Sequence, residues 1–177
     1  LERRVKLLMK NIFTETKVVD LKDNGDSVTV KLEGAKVTEP EQTFDKVLIS
    51  IGRRPVTTGF GLENTKVKVN ERGFVITDKA LKTDDESIYA IGDIVGNPML
   101  AHNASAEGKV AVEAILGHKV AFEPNAIPAV VFTDPELAWA GITENEAREK
   151  GIKVEVAKFP WGASGRATTL DRNDGMT

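Results

Sequence analysis

The chain has 177 residues, 41% of them hydrophobic, and its 24 basic and 27 acidic residues leave a formal net charge of −3. This size suits one ordinary domain or parts of two. The charge balance argues against the basic face of a nucleic-acid-binding protein, and no apolar run approaches the roughly 18 residues of a membrane span. The chain has no cysteine, which excludes disulfides, thiolate metal sites and cysteine nucleophiles within these residues.

The first quarter predicts a helix followed by a hairpin and a buried strand. Apolar residues at helical spacing favour a helix near the start of Leu1–Phe13. Two strands follow, Thr16–Leu21 and Ser27–Leu32, joined by a turn in which Asn24-Gly25 is a strong hairpin signal. The chain begins with Leu1 rather than Met, so we expect it to be part of a longer protein. No secretory signal is visible, which favours a cytoplasmic location.

The next segment predicts a polar turn over Glu39–Thr43 and then a strand over Phe44–Ile51. The apolar half of that strand is typical of a strand covered on both faces, as in a parallel sheet. We expect such a sheet to lack neighbouring strands within this chain and to leave apolar edges open. That predicts either self-association or a place in a larger assembly.

Short strands are predicted near Lys66–Val69, Phe74–Ile76 and Ile88–Ile91, and the last of them ends in Gly92-Asp93. A helix of small and apolar residues follows over Ala101–Leu116, and Gly117 is its predicted C-terminal stop. Open α/β sheets hold ligands at the carboxyl ends of their strands, so Asp93 is a candidate ligand contact. On two residues alone, an ordinary turn is the commoner interpretation.

The last third predicts antiparallel α+β structure after a linker at Pro124–Pro128. The predicted elements are strands at Ala129–Phe132 and Leu137–Ala140, a short helix opened by the capping box Thr143–Glu146, and a strand at Lys153–Phe159.

The stretch Ile88–Gly108, IYAIGDIVGNPMLAHNASAEG, resembles the second FAD-contacting segment of the flavoprotein disulfide reductases, also called pyridine nucleotide–disulfide oxidoreductases. Its MLAH motif is most similar to the branch that acts on dihydrolipoamide. The resemblance implies that Asp93 binds the ribityl chain and pyrophosphate region of FAD. It also implies that Met99, Leu100, Ala101 and His102 lie along the isoalloxazine ring. For the His102 ring itself we favour a structural role at the helix start over proton chemistry.

Two further matches to this family concern NAD and the subunit interface. Ile51–Pro55 resembles the segment that closes the NAD-binding domain, where the backbone of Gly52 would contact NAD. Val18 matches, more loosely, a backbone contact to the adenine end. Residues 127–136 and 159–167 resemble the family's dimerisation domain, which implies a homodimer formed through the last third of the chain.

The fold implied by the resemblance is α/β, with α+β structure in the last third. Residues 1–52 would be the C-terminal part of an NAD-binding domain, 53–122 a central FAD-contacting segment and 123–177 the N-terminal part of a dimerisation domain. The intact enzyme would oxidise dihydrolipoamide on the lipoyl domains of 2-oxo acid dehydrogenase complexes. Electrons would pass through a redox disulfide and FAD to NAD⁺.

The chain itself lacks the cysteine pair, the glycine-rich G-x-G-x-x-G turns and the His–Glu acid–base pair of that family. We therefore expect no catalytic residue within it, no metal site, and no activity from the isolated chain. Two alternatives stay open. The parent protein could be another disulfide reductase or a relative of the soluble transhydrogenases, or the chain could act as a non-catalytic dimerisation module.

Overall fold

The computed structural model describes all 177 residues, which divide into two compact units, Leu1–Arg53 and Arg54–Thr177. The helices and strands, in chain order, are α1 (Glu2–Leu8), β1 (Lys17–Asp23), β2 (Val28–Glu33), β3 (Glu41–Phe44), α2 (Ala101–Ile115), β4 (Ala129–Val131), β5 (Leu137–Trp139), α3 (Glu144–Glu149) and α4 (Gly165–Thr169). This mixture of helices and strands confirms the α/β class. No helix is both long enough and apolar enough to cross a membrane.

The first unit contains α1 and an antiparallel sheet in the order β1-β2-β3. Its first hairpin is the one predicted at Asn24-Gly25. The Asn24 N–H donates to the Ser27 carbonyl at 2.9 Å, and Gly25 has a φ of +97°, a backbone conformation that glycine adopts without strain. On the far side of the turn, Val28 pairs with Asp23.

The polar turn predicted over Glu39–Thr43 is wrong for Glu41–Thr43, because these three residues belong to β3. Their register with β2 runs from Val28↔Phe44 to Lys31↔Glu41. The hydroxyls of Thr29 and Thr43 face each other at 3.3 Å, a favourable cross-strand pair. Polar side chains suit the solvated face of an antiparallel sheet, so polarity alone did not distinguish this strand from a turn.

The strand predicted over Phe44–Ile51 is also wrong, because regular pairing stops at Phe44. The apolar residues that follow are unpaired, and Leu48 and Ile51 are 90% and 94% exposed. A strand covered on both faces needs neighbouring strands and covering helices, and the first unit supplies neither to this segment. The apolar side chains of this segment are exposed, but the parallel sheet whose open edges were expected does not form.

The second unit begins with a central region, residues 54–122, built on single β-bridges. The predicted strands near Lys66–Val69 and Phe74–Ile76 meet in one bridge, Val69↔Val75, and the predicted strand Ile88–Ile91 contributes one bridge, Tyr89↔Lys82. Both bridges are antiparallel and each joins a single pair of residues, so none of the three segments forms a regular strand. Their apolar side chains and α2 form a small core, whose buried members are Phe74, Val75, Leu81, Ala90 and Ala111.

Helix α2 is the longest element and ends as its sequence predicts. Gly117 has a φ of +85° and donates its N–H to the Ala114 carbonyl at 3.0 Å, while the N–H of His118 donates to the Glu113 carbonyl at 3.0 Å. These two bonds form a Schellman motif, which satisfies carbonyls that the helix leaves without partners.

The C-terminal region, residues 123–177, contains the predicted hairpin of β4 and β5 and the predicted capping box of α3. The strand predicted at Lys153–Phe159 is wrong, because only its last residue is paired. Phe159 exchanges two backbone hydrogen bonds with Thr177. Alternating apolar residues form a strand only beside a partner edge, and no such edge reaches Val154 or Val156.

The chain exposes 14,349 Å² of accessible surface. A folded monomer of this mass exposes about 8,400 Å², and the same scaling applied to the two units separately gives about 10,000 Å². The excess includes many large apolar side chains. Exposed apolar surface on this scale marks sites of interaction with other protein.

Candidate functional site

The candidate ligand contact Asp93 lies in a 3₁₀ turn, Gly92–Ile94, that is fastened to the core on both sides. Before the turn, the Ala90 N–H donates to the Leu81 carbonyl at 3.0 Å. At its end, the Ile94 carbonyl accepts from the Val75 N–H at 2.8 Å. The aspartate is therefore presented from a fixed backbone and is half-buried.

Gly92 allows this turn to pack closely on α2. Its φ is +76°, and a Cβ added there would lie 3.0 Å from the Cβ of Ala104. Both the backbone conformation and the close approach favour glycine. The glycine and the small helix residue together set how near the turn comes to the helix.

Two buried polar side chains of α2 complete the attachment. Glu107 is 6% exposed, and its Oε2 accepts from the Gly92 N–H at 2.6 Å. Its Oε1 accepts from Nδ2 of Asn103, which is 5% exposed, at 2.7 Å. Oδ1 of Asn103 is buried without a hydrogen-bond partner.

Asn103 and Glu107 were not predicted as functional residues, although the sequence contains a signal for them. They stand four residues apart, and Ala111 follows after four more, so all three lie on one helix face. All three are buried. Polar residues on the core-facing side of a helix need buried partners, and here the partner is the backbone of the turn that carries Asp93.

The start of α2 is the second part of the candidate site. Leu100 is its N-cap residue and makes no side-chain capping hydrogen bond. Met99 and Leu100 are half-buried, whereas Ala101 and His102 are exposed. The N–H groups of the first helical turn therefore have no side-chain cap, and the positive end of the helix dipole favours an electron-rich group.

The ring of His102 has a structural partner, as the sequence predicts. Its Nε2 lies 2.7 Å from the carbonyl oxygen of Pro128. This contact borders an open, apolar groove of about 370 Å³ between the start of α2 and the β4–β5 hairpin. The groove is lined by His102, Pro128, Ala129, Val130, Ala138 and Trp139.

The two candidate NAD contacts lie in the first unit. Val18 is an exposed residue of β1 and pairs with Leu32 of β2. Gly52 follows the unpaired apolar segment with a φ of +129°, and nothing lies within 4 Å of where its Cβ would be. Val18 is exposed and there is open space around Gly52, but no contact joins the two residues into one formed site.

The arrangement in the second unit suits a ligand with two kinds of polar group. An aspartate on a fixed turn can accept hydrogen bonds from hydroxyl groups. The uncapped helix start can donate hydrogen bonds to an electron-rich edge.

The chain matches two protein-family models. Residues 5–108 match pyridine nucleotide-disulphide oxidoreductase, and residues 127–177 match the pyridine nucleotide-disulphide oxidoreductase dimerisation domain. Among curated proteins, the chain is 46% identical over 175 residues to a dihydrolipoyl dehydrogenase of Vibrio parahaemolyticus, covering 99% of the chain and 37% of that protein. It is 46% identical over 165 residues to one of Bacillus subtilis, covering 93% and 35%. The chain thus spans little more than a third of the length of these relatives.

Solved structures show the same likeness. The Escherichia coli HOCl-induced flavoprotein disulfide reductase RclA superposes with a TM-score of 0.77 at 29% identity, covering 90% of this chain and 36% of that one. LpdA of Mycobacterium tuberculosis superposes with a TM-score of 0.84 over 99% of this chain and 38% of that one. At 24% identity, the second likeness shows the fold alone.

Proposed function

Because this chain belongs to the pyridine nucleotide-disulphide oxidoreductase family, we propose that it forms part of a flavoprotein that oxidises protein-bound dihydrolipoamide with NAD⁺. The single observation that carries the proposal is the turn holding Asp93, fastened through Gly92 to the side of α2. Two relatives that are 46% identical to this chain, over 175 and 165 residues, are named dihydrolipoyl dehydrogenase.

Asp93 and the start of α2 would hold FAD, which supplies the acceptor for a pair of electrons when bound. The residues fit this group in two respects. The Asp93 carboxylate can accept hydrogen bonds from ribityl hydroxyls. Met99 and Leu100 present apolar surface beside the uncapped amides of Ala101 and His102, which suits a flat ring with polar edges.

Gly52 and Val18 would contact NAD through their backbones. The glycine has no Cβ and no neighbouring atom in the way, so a ligand can approach its backbone closely. The exposed position of Val18 on β1 leaves its surface open to the adenine end. These assignments rest on the sequence resemblance together with this accessibility.

The C-terminal region would form a homodimer, with residues 1–52, 53–122 and 123–177 as the NAD-binding, FAD-contacting and dimerisation parts. Support comes from the dimerisation-domain match at residues 127–177 and from exposed aromatic residues there, including Phe132, Trp139 and Phe159. Aromatic residues are enriched in protein interfaces. Lipoyl domains of 2-oxo acid dehydrogenase complexes would be the partners of the whole protein. A cytoplasmic location stays a prediction.

The first test is FAD binding by the chain, followed by quenching of flavin fluorescence. We expect Asp93→Ala to weaken binding about 10- to 100-fold, the range for losing a hydrogen bond to a charged group. Asp45→Ala removes an exposed carboxylate from the first unit and should leave binding unchanged. The chain has no cysteine, so dihydrolipoamide-dependent NAD⁺ reduction should be absent even with FAD added.

Other outcomes would overturn parts of this proposal. Clear reduction of NAD⁺ by dihydrolipoamide would contradict the inactivity of the isolated chain. A chain that binds no FAD and elutes as a dimer would favour the non-catalytic dimerisation module. In the gene that encodes the chain, a C-x₄-C pair before these residues supports a disulfide enzyme, and its absence supports a transhydrogenase relative.

A further inference from the structure

We propose that Glu107 is a positioning residue for the flavin site, since its carboxyl group holds the turn that presents Asp93 against α2. The part of this proposal that names FAD as the ligand rests on the proposed function. Its structural part, that Glu107 fixes the turn, stands on the hydrogen bonds of the buried cluster formed by Gly92, Asn103 and Glu107.

The first step is that the Glu107 carboxylate accepts the hydrogen bond of the Gly92 N–H. The bond is 2.6 Å long and joins residues 15 positions apart. Because both residues are buried, water does not readily replace a lost acceptor. A buried amide without an acceptor is costly, so without Glu107 the turn would move toward solvent or lose its 3₁₀ geometry.

The second step concerns Asn103. Its amide allows a neutral side chain at position 107, provided that this side chain is as long as glutamate. Its Nδ2 donates to Glu107, while its Oδ1 is buried and has no partner. If Glu107 became glutamine, the glutamine oxygen would accept from Gly92 and its amide nitrogen would face Asn103. Rotation of the Asn103 amide would then bring Oδ1 round to accept from that nitrogen. The cluster therefore tolerates Glu107→Gln.

The third step is that Glu107→Asp should not be tolerated. Aspartate keeps the charge but withdraws the carboxyl group by one methylene, about 1.5 Å, which is too far for a hydrogen bond that starts at 2.6 Å. The two substitutions therefore separate reach from charge. Asp93 follows Gly92 directly in the chain, so a displaced turn also displaces the carboxylate proposed to meet the ribityl chain.

The experiment compares Glu107→Gln, Glu107→Asp and the matched control Glu113→Asp, an exposed glutamate on the same helix. Amide hydrogen exchange is measured by NMR in the whole chain, with the Thr83 amide as reference, since Thr83 donates to the Ile88 carbonyl elsewhere in the core. We expect Gly92 exchange to rise at least tenfold in Glu107→Asp. It should stay within about threefold in Glu107→Gln and in the control, with Thr83 unchanged in all three.

The second readout is FAD affinity by fluorescence quenching. We expect Glu107→Asp to weaken binding about tenfold, and Glu107→Gln and Glu113→Asp to bind as the unchanged chain does. Equal losses in Glu107→Gln and Glu107→Asp would overturn the proposal, as would unchanged Gly92 exchange in Glu107→Asp. If Glu107→Asp fails to fold, Glu107→Gln still tests the proposal. Faster exchange of the Gly92 amide in Glu107→Gln, with exchange of the Thr83 amide unchanged, would contradict the proposal.

The hydrogen-exchange measurement distinguishes failure of this proposal from failure of the proposed function. A chain that binds no FAD would refute the flavin assignment, while the response of Gly92 to Glu107→Asp would still show whether Glu107 holds the turn. FAD binding that Asp93→Ala weakens but Glu107→Asp does not would keep the flavin site and remove Glu107 from it.

Discussion

The central and C-terminal regions of the second unit both contain hydrogen-bonded helices and turns, but they differ in how many side chains they bury. The central region, residues 54–122, contains five buried apolar residues and the buried polar residues Thr83, Asn103 and Glu107. The C-terminal region, residues 123–177, buries only Ala147 and Ala167. Hydrogen-bonded caps and turns thus form without a core, whereas a fixed site such as the turn at Asp93 depends on one.

The difference also indicates what each region requires from other protein. The central region can hold the Asp93 turn with its own side chains, because Glu107 and Gly92 are both buried there. The C-terminal region leaves its large apolar side chains at the surface, among them Phe132 at 82% exposure. Such a surface is stabilised by a covering partner, in agreement with its match to a dimerisation domain.

The sharpest test of this comparison removes one phenylalanine ring from each region. Phe74 is 7% exposed in the central core, so Phe74→Ala should lower the free energy of unfolding by about 3–5 kcal/mol through lost burial and a cavity. Phe132→Ala should change it by less than about 0.5 kcal/mol. Urea unfolding followed by circular dichroism measures both. Similar losses at the two positions would show that Phe132 is covered in solution, by a core of the C-terminal region or by a partner subunit.

A smaller effect is expected at the tightest contact of the C-terminal region. A Cβ added to Gly175 would lie 2.2 Å from Cε3 of Trp161, whose Nε1 donates to the Thr177 hydroxyl at 2.8 Å. Gly175→Ala must displace the ring, and overpacking of this kind costs about 1–3 kcal/mol. The indole N–H resonance of Trp161 should shift or broaden in NMR spectra.

Gly165→Ala is the matched control, because nothing lies within 4 Å of a Cβ at that position in α4. We expect the Trp161 indole resonance to be unchanged in this variant, with stability equal or slightly higher, since alanine favours a helix over glycine. An unchanged indole resonance in Gly175→Ala would mean that the strand-like pairing of residues 159–161 with 175–177 is not held in solution.

The smallest effect concerns α3, whose stability is local. Thr143 caps the helix, and its side chain accepts from the Glu146 N–H. Thr143→Ala should therefore cost about 1 kcal/mol, whereas the exposed Thr58→Ala should cost almost nothing. Helical chemical shifts of residues 144–149 measure the change. Equal shifts in the two variants would contradict the role of the cap.

The same capping box predicts a pH dependence. The backbone N–H of Thr143 and its hydroxyl hydrogen-bond the Glu146 carboxylate and hold its pKa below the usual value of 4.5. A lowered pKa in the folded state stabilises α3 above that value and loses this contribution as the pH falls through the folded pKa. NMR titration of the Glu146 side chain should show the low pKa, and Thr143→Ala should move it back toward 4.5.

The predictions that succeeded depend on residues close in sequence. Asn24-Gly25 forms the predicted hairpin turn, Gly117 ends α2 and Thr143 caps α3. The predictions that failed concern strands, at Glu39–Thr43, Phe44–Ile51 and Lys153–Phe159. A strand needs a partner edge from elsewhere in the chain, and hydrophobic pattern alone does not reveal whether that edge is present.

The sequence by itself determined the family, the C-terminal end of α2, the start of α3 and the place of Asp93 in a turn before α2, because these depend on short motifs and on hydrogen bonds between near neighbours. Only the tertiary structure decided that Glu107 holds Gly92 and that Trp161 covers Gly175. Those contacts join residues 14 and 15 positions apart. Their geometry follows from how separate segments pack, and packing depends on all the surfaces that meet rather than on any one motif.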